Sequence, residues 1–350
     1  MNPDPKKISL AASARAELAE AVVELRPEIL SPVAPYPNVV GLGVGVKWTQ
    51  GQPTGKAALI VLVTHKLAKT QLAEADLIPS KLGDLPTDVL AVGYPFAGMR
   101  GNPLSVGVQT LATRLRPVMG GYSVGHFGIT AGTVATCVYE LLPGGGTNPP
   151  EPGVGVPGTY YLLSNNHVLA NTNAATLGDP ILQPGPYDGG VNPADIVARL
   201  SRYIPIDLTP AKPLEEHRNL VDAAVAAGNF ADLSREIYWN GYVRGWRPRG
   251  EVAVGTVLKK TGRTTHFTTG RVTVVDATIE VNYGEGRVGR FNDQIITTPM
   301  SAGGDSGSLV LTLDNVAVGL LFAGSPQSTI LNQIEHVRSL LRVEVAEQSL

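Results

Sequence analysis

Cysteine is nearly absent from this chain: Cys137 is the one cysteine among 350 residues. That excludes an internal disulfide framework and a cysteine-based zinc cluster. A surplus of one charge is also lacking, since 28 Lys and Arg face 30 Asp and Glu for a net charge of −2. The positive field that nucleic acid or an anionic membrane surface needs is therefore missing. No apolar run approaches the roughly 18 residues of a membrane-crossing helix. The opening Met1–Lys7 is not followed by an apolar leader, because Arg15, Glu17, Glu20 and Glu24 interrupt it. There is no His-Glu-x-x-His and no EF-hand run, so neither metal nor cofactor is expected. These absences predict a soluble, cytoplasmic chain that binds neither nucleic acid nor membrane.

What is present points to many short strands. Hydrophobic residues make up 43% and charged residues 17%, too apolar for a disordered chain, and 40 Gly with 27 Pro supply frequent turns. The length suits about two domains. Leu10 to Leu25 is rich in Ala, Leu and Glu with Leu18, Val22 and Leu25 at helical spacing, and Pro27 is expected to end that helix. Val39–Val46 and Ala57–Thr64, around a turn-rich Thr49–Gly55, read as a β-hairpin, and Pro86–Gly93 as a further strand. Residues 1–112 are thus expected to form a small α+β domain. From 113 to 350, strand candidates recur: Gly132–Glu140, Tyr160–Leu163, Ala223–Ala226, Thr256–Lys259, Arg271–Val275, Ile279–Tyr283, Gln294–Thr298, Leu309–Leu313 and Val316–Phe322. Leu142–Gly158 is a Gly/Pro-rich loop, and Ile334, Val337, Leu340 and Leu341 mark a closing amphipathic helix. The whole reads as mostly β, a barrel or pair of barrels. Gly41-x-Gly43-x-Gly45 lacks the third glycine and the following helix of a dinucleotide site, and reads instead as glycines in a bulged or closely packed strand. Gly51 to Ala57 is one residue short of a phosphate loop.

Three strings carry chemistry. Gly303-Gly304-Asp305-Ser306-Gly307-Ser308 surrounds a serine with residues that let backbone N–H groups converge, and an alcohol needs such donors and a base to act as a nucleophile. Tyr160-Tyr161-Leu162-Leu163-Ser164-Asn165-Asn166-His167 runs an apolar strand into polar residues and a histidine at its end. His167 is the best base by context; His65, His217 and His336 read as surface residues, and His126 and His266 as less favoured alternatives. Asn219-Leu220-Val221-Asp222 places a carboxylate at the entry of an apolar strand, where it must be solvated or hydrogen-bonded. Asp195 and Asp207 are the alternatives for that role.

The order His167, Asp222, Ser306 differs from the subtilisin and α/β-hydrolase orders and agrees with the two-barrel class. With the strings Ser164-Asn165-Asn166-His167-Val168-Leu169-Ala170, Val221–Ala226 and Gly304-Asp305-Ser306-Gly307-Ser308, residues 115–345 resemble the chymotrypsin-like, or trypsin-like, serine peptidases. Val39–Gly45, Ile78–Lys81, Pro86–Val89 and Gly120–His126 resemble, more narrowly, the narrow-leaf-type trypsin-like proteins of plants and bacteria, as does Lys260–Gly270. That family places a small N-terminal domain before the protease.

The resemblance implies a two-barrel protease domain at 113–350 and a Ser-His-Asp triad of Ser306, His167 and Asp222. It implies an oxyanion hole at the N–H groups of Gly304 and Ser306, and Met300 at the base of the primary specificity pocket. Phe322-Ala323-Gly324 would be the edge strand that pairs with the substrate backbone. A pocket without a carboxylate implies an apolar preference. Asp305 need not meet a new N-terminal amine here, which puts activation by chain cleavage in doubt. The expected function is an intracellular serine endopeptidase acting on a protein or peptide. The N-terminal part is the expected place for regulation, substrate selection or homo-oligomer contacts. A latent or non-turning-over protease-fold scaffold and an esterase or acyltransferase are the competing readings.

Overall fold

The structure, a computed structural model, describes residues 7–31, 33, 36, 38–98, 110–129, 131–141 and 157–346. Most of the Gly/Pro-rich loop expected at 142–158 falls outside these residues, as does 99–109 before the expected boundary at 112.

Helix α1 (Ala12–Ile29) runs past Pro27, which lies inside its last turn. Extension beyond the expected stop follows from packing: Leu18, Val22 and Ile29 are all buried in one cluster with the strands that follow, and each such side chain contributes about 1.5–3 kcal/mol. β1 (Val39–Thr49) and β2 (Gln52–Val63) form the expected hairpin, but with longer strands and a tighter turn. Gln50 and Gly51 both have positive φ, 52° and 75°, as a two-residue turn matched to strand twist requires. β3 (Leu85–Ala91) then adds parallel to β2.

The first barrel-like sheet uses β4 (Ser123–His126), β5 (Gly132–Thr133), β6 (Cys137–Glu140), β7 (Tyr160–Ser164), β8 (Pro180–Leu182), β9 (Ile196–Tyr203) and β10 (Ala224–Gly228). The second uses β11 (Val257–Gly262), β12 (His266–Asn282), β13 (Val288–Thr297), β14 (Leu309–Thr312), β15 (Val316–Gly324) and β16 (Thr329–Gln333). In the second, the order β11-β14-β15-β16-β13-β12 is closed by pairing of β12 back onto β11. Helix α3 (Ile334–Leu341) follows, and β17 (Val343–Glu344) returns to pair with β6 of the first sheet. Of the apolar positions expected on α3, Ile334, Val337 and Leu341 are buried, whereas Leu340 is exposed. Leu163, Val221 and Val225 of the first barrel meet Leu309, Leu320, Ile334 and Val337 in one cluster, so the core is continuous across the barrel junction.

β12 spans what the sequence suggested were two strands. Its register shifts between Val274 and Ala277, where Asp276 has φ of 50°. Such a bulge interrupts period-2 alternation and hides the continuity. The length of β12 also lets β1 pair with it, Gly41 opposite Ile279 and Gly45 opposite Val274. The approach is close: a Cβ at Gly41 would collide with the Thr278 carbonyl, and one at Gly43 with Val274. Arg15 of α1 clamps the bulge with two bonds to the Asp276 carboxylate, 2.7 and 2.8 Å. Residues on both sides of the expected boundary at 112/113 therefore share one sheet and one core.

Candidate active site

The histidine is positioned by the polar string that precedes it. Ser164 Oγ donates to the Thr133 carbonyl at 2.7 Å. Asn165 Nδ2 donates to the Asp222 carbonyl at 2.7 Å, and Asn166 Nδ2 to Asn173 and to the Ile204 carbonyl at 2.8 and 2.7 Å. These bonds end β7 and start the single helical turn α2 (Asn166–Leu169) that carries His167. Asp222 lies two residues before β10, the strand that pairs with β7; its N–H is held by Asn332 Oδ1 at 3.0 Å, and Asn332 Nδ2 donates to Gln294 at 2.8 Å.

Asp222 is fully buried and its carboxylate meets three donors. His167 N–H reaches Oδ1 at 3.1 Å, His167 Nδ1 reaches Oδ2 at 2.6 Å, and the Tyr283 hydroxyl donates to Oδ2 at 2.8 Å. A carboxylate accepts only, so the proton of neutral His167 belongs on Nδ1 and the lone pair on Nε2. Nε2 has no hydrogen-bond partner among the described residues. Burial, then the Asp222 charge and its hydrogen bond, raise the Tyr283 hydroxyl well above its usual range, so it stays a donor. Its ring stands edge-on to His167 with centroids 6.1 Å apart.

Ser306 lies in a turn whose carbonyls are pinned on one side. Thr264 Oγ1 donates to the Gly303 carbonyl at 2.8 Å and Thr133 Oγ1 to the Gly304 carbonyl at 2.8 Å. Ser308 Oγ and N–H both donate to the Asp305 carbonyl, at 2.6 and 3.0 Å. In a trans peptide the N–H points opposite to its carbonyl. The N–H groups of Gly304 and Ser306 therefore face away from these anchors, and neither donates to a described residue. Gly304 sits at φ 96°, and a Cβ there would run into Thr264 Oγ1. Ser306 Oγ makes a long 3.5 Å bond to the Phe322 carbonyl. No hydrogen bond between Ser306 and His167 is present. The two are close in the fold: a Cβ at Gly132 would touch both Val168, next to His167, and the Ser306 carbonyl.

Under the turn, Asp305 is fully buried with Lys260, whose Nζ lies 3.2 Å from Oδ2. Asp305 Oδ1 also accepts the N–H groups of Thr264 and Thr265 at 2.8 and 3.0 Å, and Oδ2 that of Ala302 at 3.0 Å. The Lys260–Gly270 string thus holds the turn from below with an internal ammonium.

Other expected residues lie elsewhere. Asp195 pairs with Arg114 at 3.0 Å and Asp207 with Lys212 at 2.8 Å. His126 pairs with Asp179 at 3.1 Å. His217, expected on the surface, is buried, with Nε2 at the Lys212 carbonyl and Nδ1 accepting the Arg290 N–H. Met300 does not face the cavity beside Ser306. Its side chain packs beneath Gly270, where only a glycine leaves room for it, and its neighbours Ser301, Ala302 and Gly303 line the space instead. Phe322 is buried against Phe291, ring centroids 4.8 Å apart, and leaves only its carbonyl to the site. Ala323 and Gly324 do line the cavity, which encloses about 740 Å³. Tyr283 and Lys260 were not singled out by residue pattern: a tyrosine at a strand end and a lysine in a basic pair carry no local signal.

No family model matches this chain. It is 40% identical to glutamyl endopeptidase 2 of Streptomyces griseus over 82 residues, 23% of this chain and 40% of that protein, so it spans less than half the relative's length. Thermobifida fusca protease A aligns at a TM-score of 0.44 and 18% identity, over 66% of this chain and 99% of its own. A glutamic acid specific serine protease described as using a histidine triad in substrate binding aligns at 0.42 and 21% identity, over 65% and 98%.

Proposed function

We propose that this chain is a chymotrypsin-like serine endopeptidase of the narrow-leaf type that cleaves a protein or peptide in the cytoplasm. The observation that carries this reading is the buried Asp222–His167 pair, whose Nε2 has no partner among the described residues, beside a serine turn whose Gly304 and Ser306 N–H groups face away from the anchors of their carbonyls. In the proposed reaction, rotation about the Ser306 side chain breaks its long bond to Phe322 and brings Oγ to Nε2. Apo geometry of this kind is commonly loose until substrate binds. Oγ attacks the scissile carbonyl as Nε2 takes its proton. The Gly304 and Ser306 N–H groups receive the oxyanion, worth about 3 kcal/mol per donor. Collapse returns the proton to the leaving amine, and water then releases the acyl group by the same steps. Asp222 holds the tautomer throughout, and Tyr283 holds Asp222.

The described residues lining the cavity include no carboxylate, lysine or arginine, which supports an uncharged residue before the cut, the expected apolar side chains among them; His65, Ser301, Ser325 and Gln327 are among the polar groups on its wall. The N-terminal strings support the narrow-leaf placement, and a homo-oligomer built through that part belongs to the same proposal. The test is turnover of a peptide library and of simple esters by the chain and its S306A and H167A variants. Expected are cuts after apolar residues that both substitutions abolish. Strong Arg or Lys preference would overturn the pocket reading, and ester turnover alone would make the chain an esterase. A latent state is the second reading, and one observation favours it: a residue of the N-terminal part already occupies Gly324.

A further inference from the structure

Gly324 ends β15, the edge expected to receive a substrate backbone. Both of its main-chain groups are already used. Phe96 N–H donates to the Gly324 carbonyl and Gly324 N–H to the Phe96 carbonyl, each at 3.1 Å, in antiparallel pairing. On the other side of the same stretch, Asn282 N–H donates to the Pro95 carbonyl and Ala97 N–H to the Asn282 carbonyl, each at 3.0 Å. One turn before, the Val92 carbonyl accepts from Ser325 Oγ at 2.5 Å and Ser328 Oγ at 2.8 Å. Gly93 makes the bend at φ 72°, where a Cβ would meet Ser325 and Gln327. Residues 92–97 therefore lie as an extended segment along the wall of the cavity that holds Ser306, bridged at Phe96 to Gly324 on one side and to Asn282 on the other.

We propose that this segment is a built-in occupant of the substrate-strand site, so that the folded chain is self-blocked until residues 93–97 leave Gly324. The proposal rests on the serine-peptidase reading and names its regulation. A backbone N–H donates one bond, so Gly324 cannot pair with Phe96 and with a substrate strand at once. Leaving is a sub-global opening: Tyr94 is 65% exposed, but Val92 and Ala97 are 0% and 5% exposed and packed in one cluster with Phe322 and Ala323, so the backbone bonds break together with the Ala97 contact while Val92 stays as the fixed end, at a cost below the global unfolding free energy. The cavity itself stays open and Ser306 lines it, so a small reagent reaches the serine while a polypeptide does not.

The test compares the full chain with two variants. F96P removes the N–H that donates to Gly324, and S325A/S328A removes both hydroxyls from the Val92 carbonyl, leaving a second route if F96P does not fold. Three readouts are taken: labelling by a small fluorophosphonate, turnover of a long peptide, and calorimetric binding of a capped peptide with the sequence of residues 92–98. Expected are labelling rates within about twofold of the parent, peptide turnover raised about tenfold by loss of the competing backbone bonds, and binding of the capped peptide by the variants only. Labelling that is unchanged while turnover does not rise and no variant binds the peptide would overturn the self-block and leave the serine reading standing. Absence of labelling in every chain, with peptide binding confined to the variants, would sustain the segment's role and sink the catalytic reading.

Discussion

Replacing Lys260 by Met tests how the turn that carries Ser306 is held. Lys260 and Asp305 are both fully buried, Nζ 3.2 Å from Oδ2. Removing one partner of such a pair strands a charge, at a cost of about 3–5 kcal/mol. Asp305 keeps the N–H groups of Thr264, Thr265 and Ala302, which puts the expectation for K260M at the lower end, about 3 kcal/mol. The carboxylate then seeks solvent, and the turn that aims Gly304 and Ser306 moves with it. Urea unfolding gives the stability loss, and the fluorophosphonate labelling rate of protein that is still folded reports the turn. In K260M/D305N the charge is gone, so the double variant should cost less than the sum of the singles by about 2 kcal/mol or more. A loss under about 1 kcal/mol for K260M with no coupling to D305N would refute the view that this pair supports the turn.

Further outcomes follow from the same geometry. Tyr283→Phe keeps the ring against His167 but removes the hydroxyl 2.8 Å from Asp222; the labelling rate should fall about tenfold, as for loss of a buried bond to a charged group, with the urea midpoint showing the protein folded. Burial lowers the Lys260 ammonium below its usual 10.5 although Asp305 opposes the shift. As pH rises through the lowered value the turn loses its cation, so labelling should decline on the alkaline side before pH 10.5. Over that window the unfolded chain binds the extra proton, so this group's share of folding stability rises with pH while activity falls, which paired unfolding and labelling titrations would reveal. Burial also pushes the Cys137 thiol up to about 11. It should resist a thiol reagent at pH 8 in the folded protein and react at once in urea; fast reaction without denaturant would contradict its placement.

The local part of this organisation was legible in the sequence and the long-range part was not. His167, Asp222 and Ser306 each sit where an apolar strand or glycine turn meets polar residues, a signal contained within about ten positions. The structure joins the first two directly at 2.6 Å. Tyr283 and Asn332 act on Asp222 from distant strands, and no short window contains both ends of those bonds. The bulge at Asp276 breaks the alternation of β12 and hides it as one strand, and Arg15, which binds the Asp276 carboxylate, lies 261 residues away. The glycines at 41, 43 and 45 were readable as close packing, but only the fold reveals that β12 is what packs there. The offset of Met300 from Ser306 predicts a backbone position, but not that its side chain turns under Gly270.

Activation of Ser306 is read out by active-site labelling with a fluorophosphonate, followed by peptide mapping, on the full chain beside S306A and H167A. A single adduct mapped to Ser306, abolished by S306A and reduced at least a hundredfold by H167A, is the result expected of a serine activated by the His167–Asp222 pair. A folded protein that takes no label, or one in which H167A labels as fast as the parent, would contradict it.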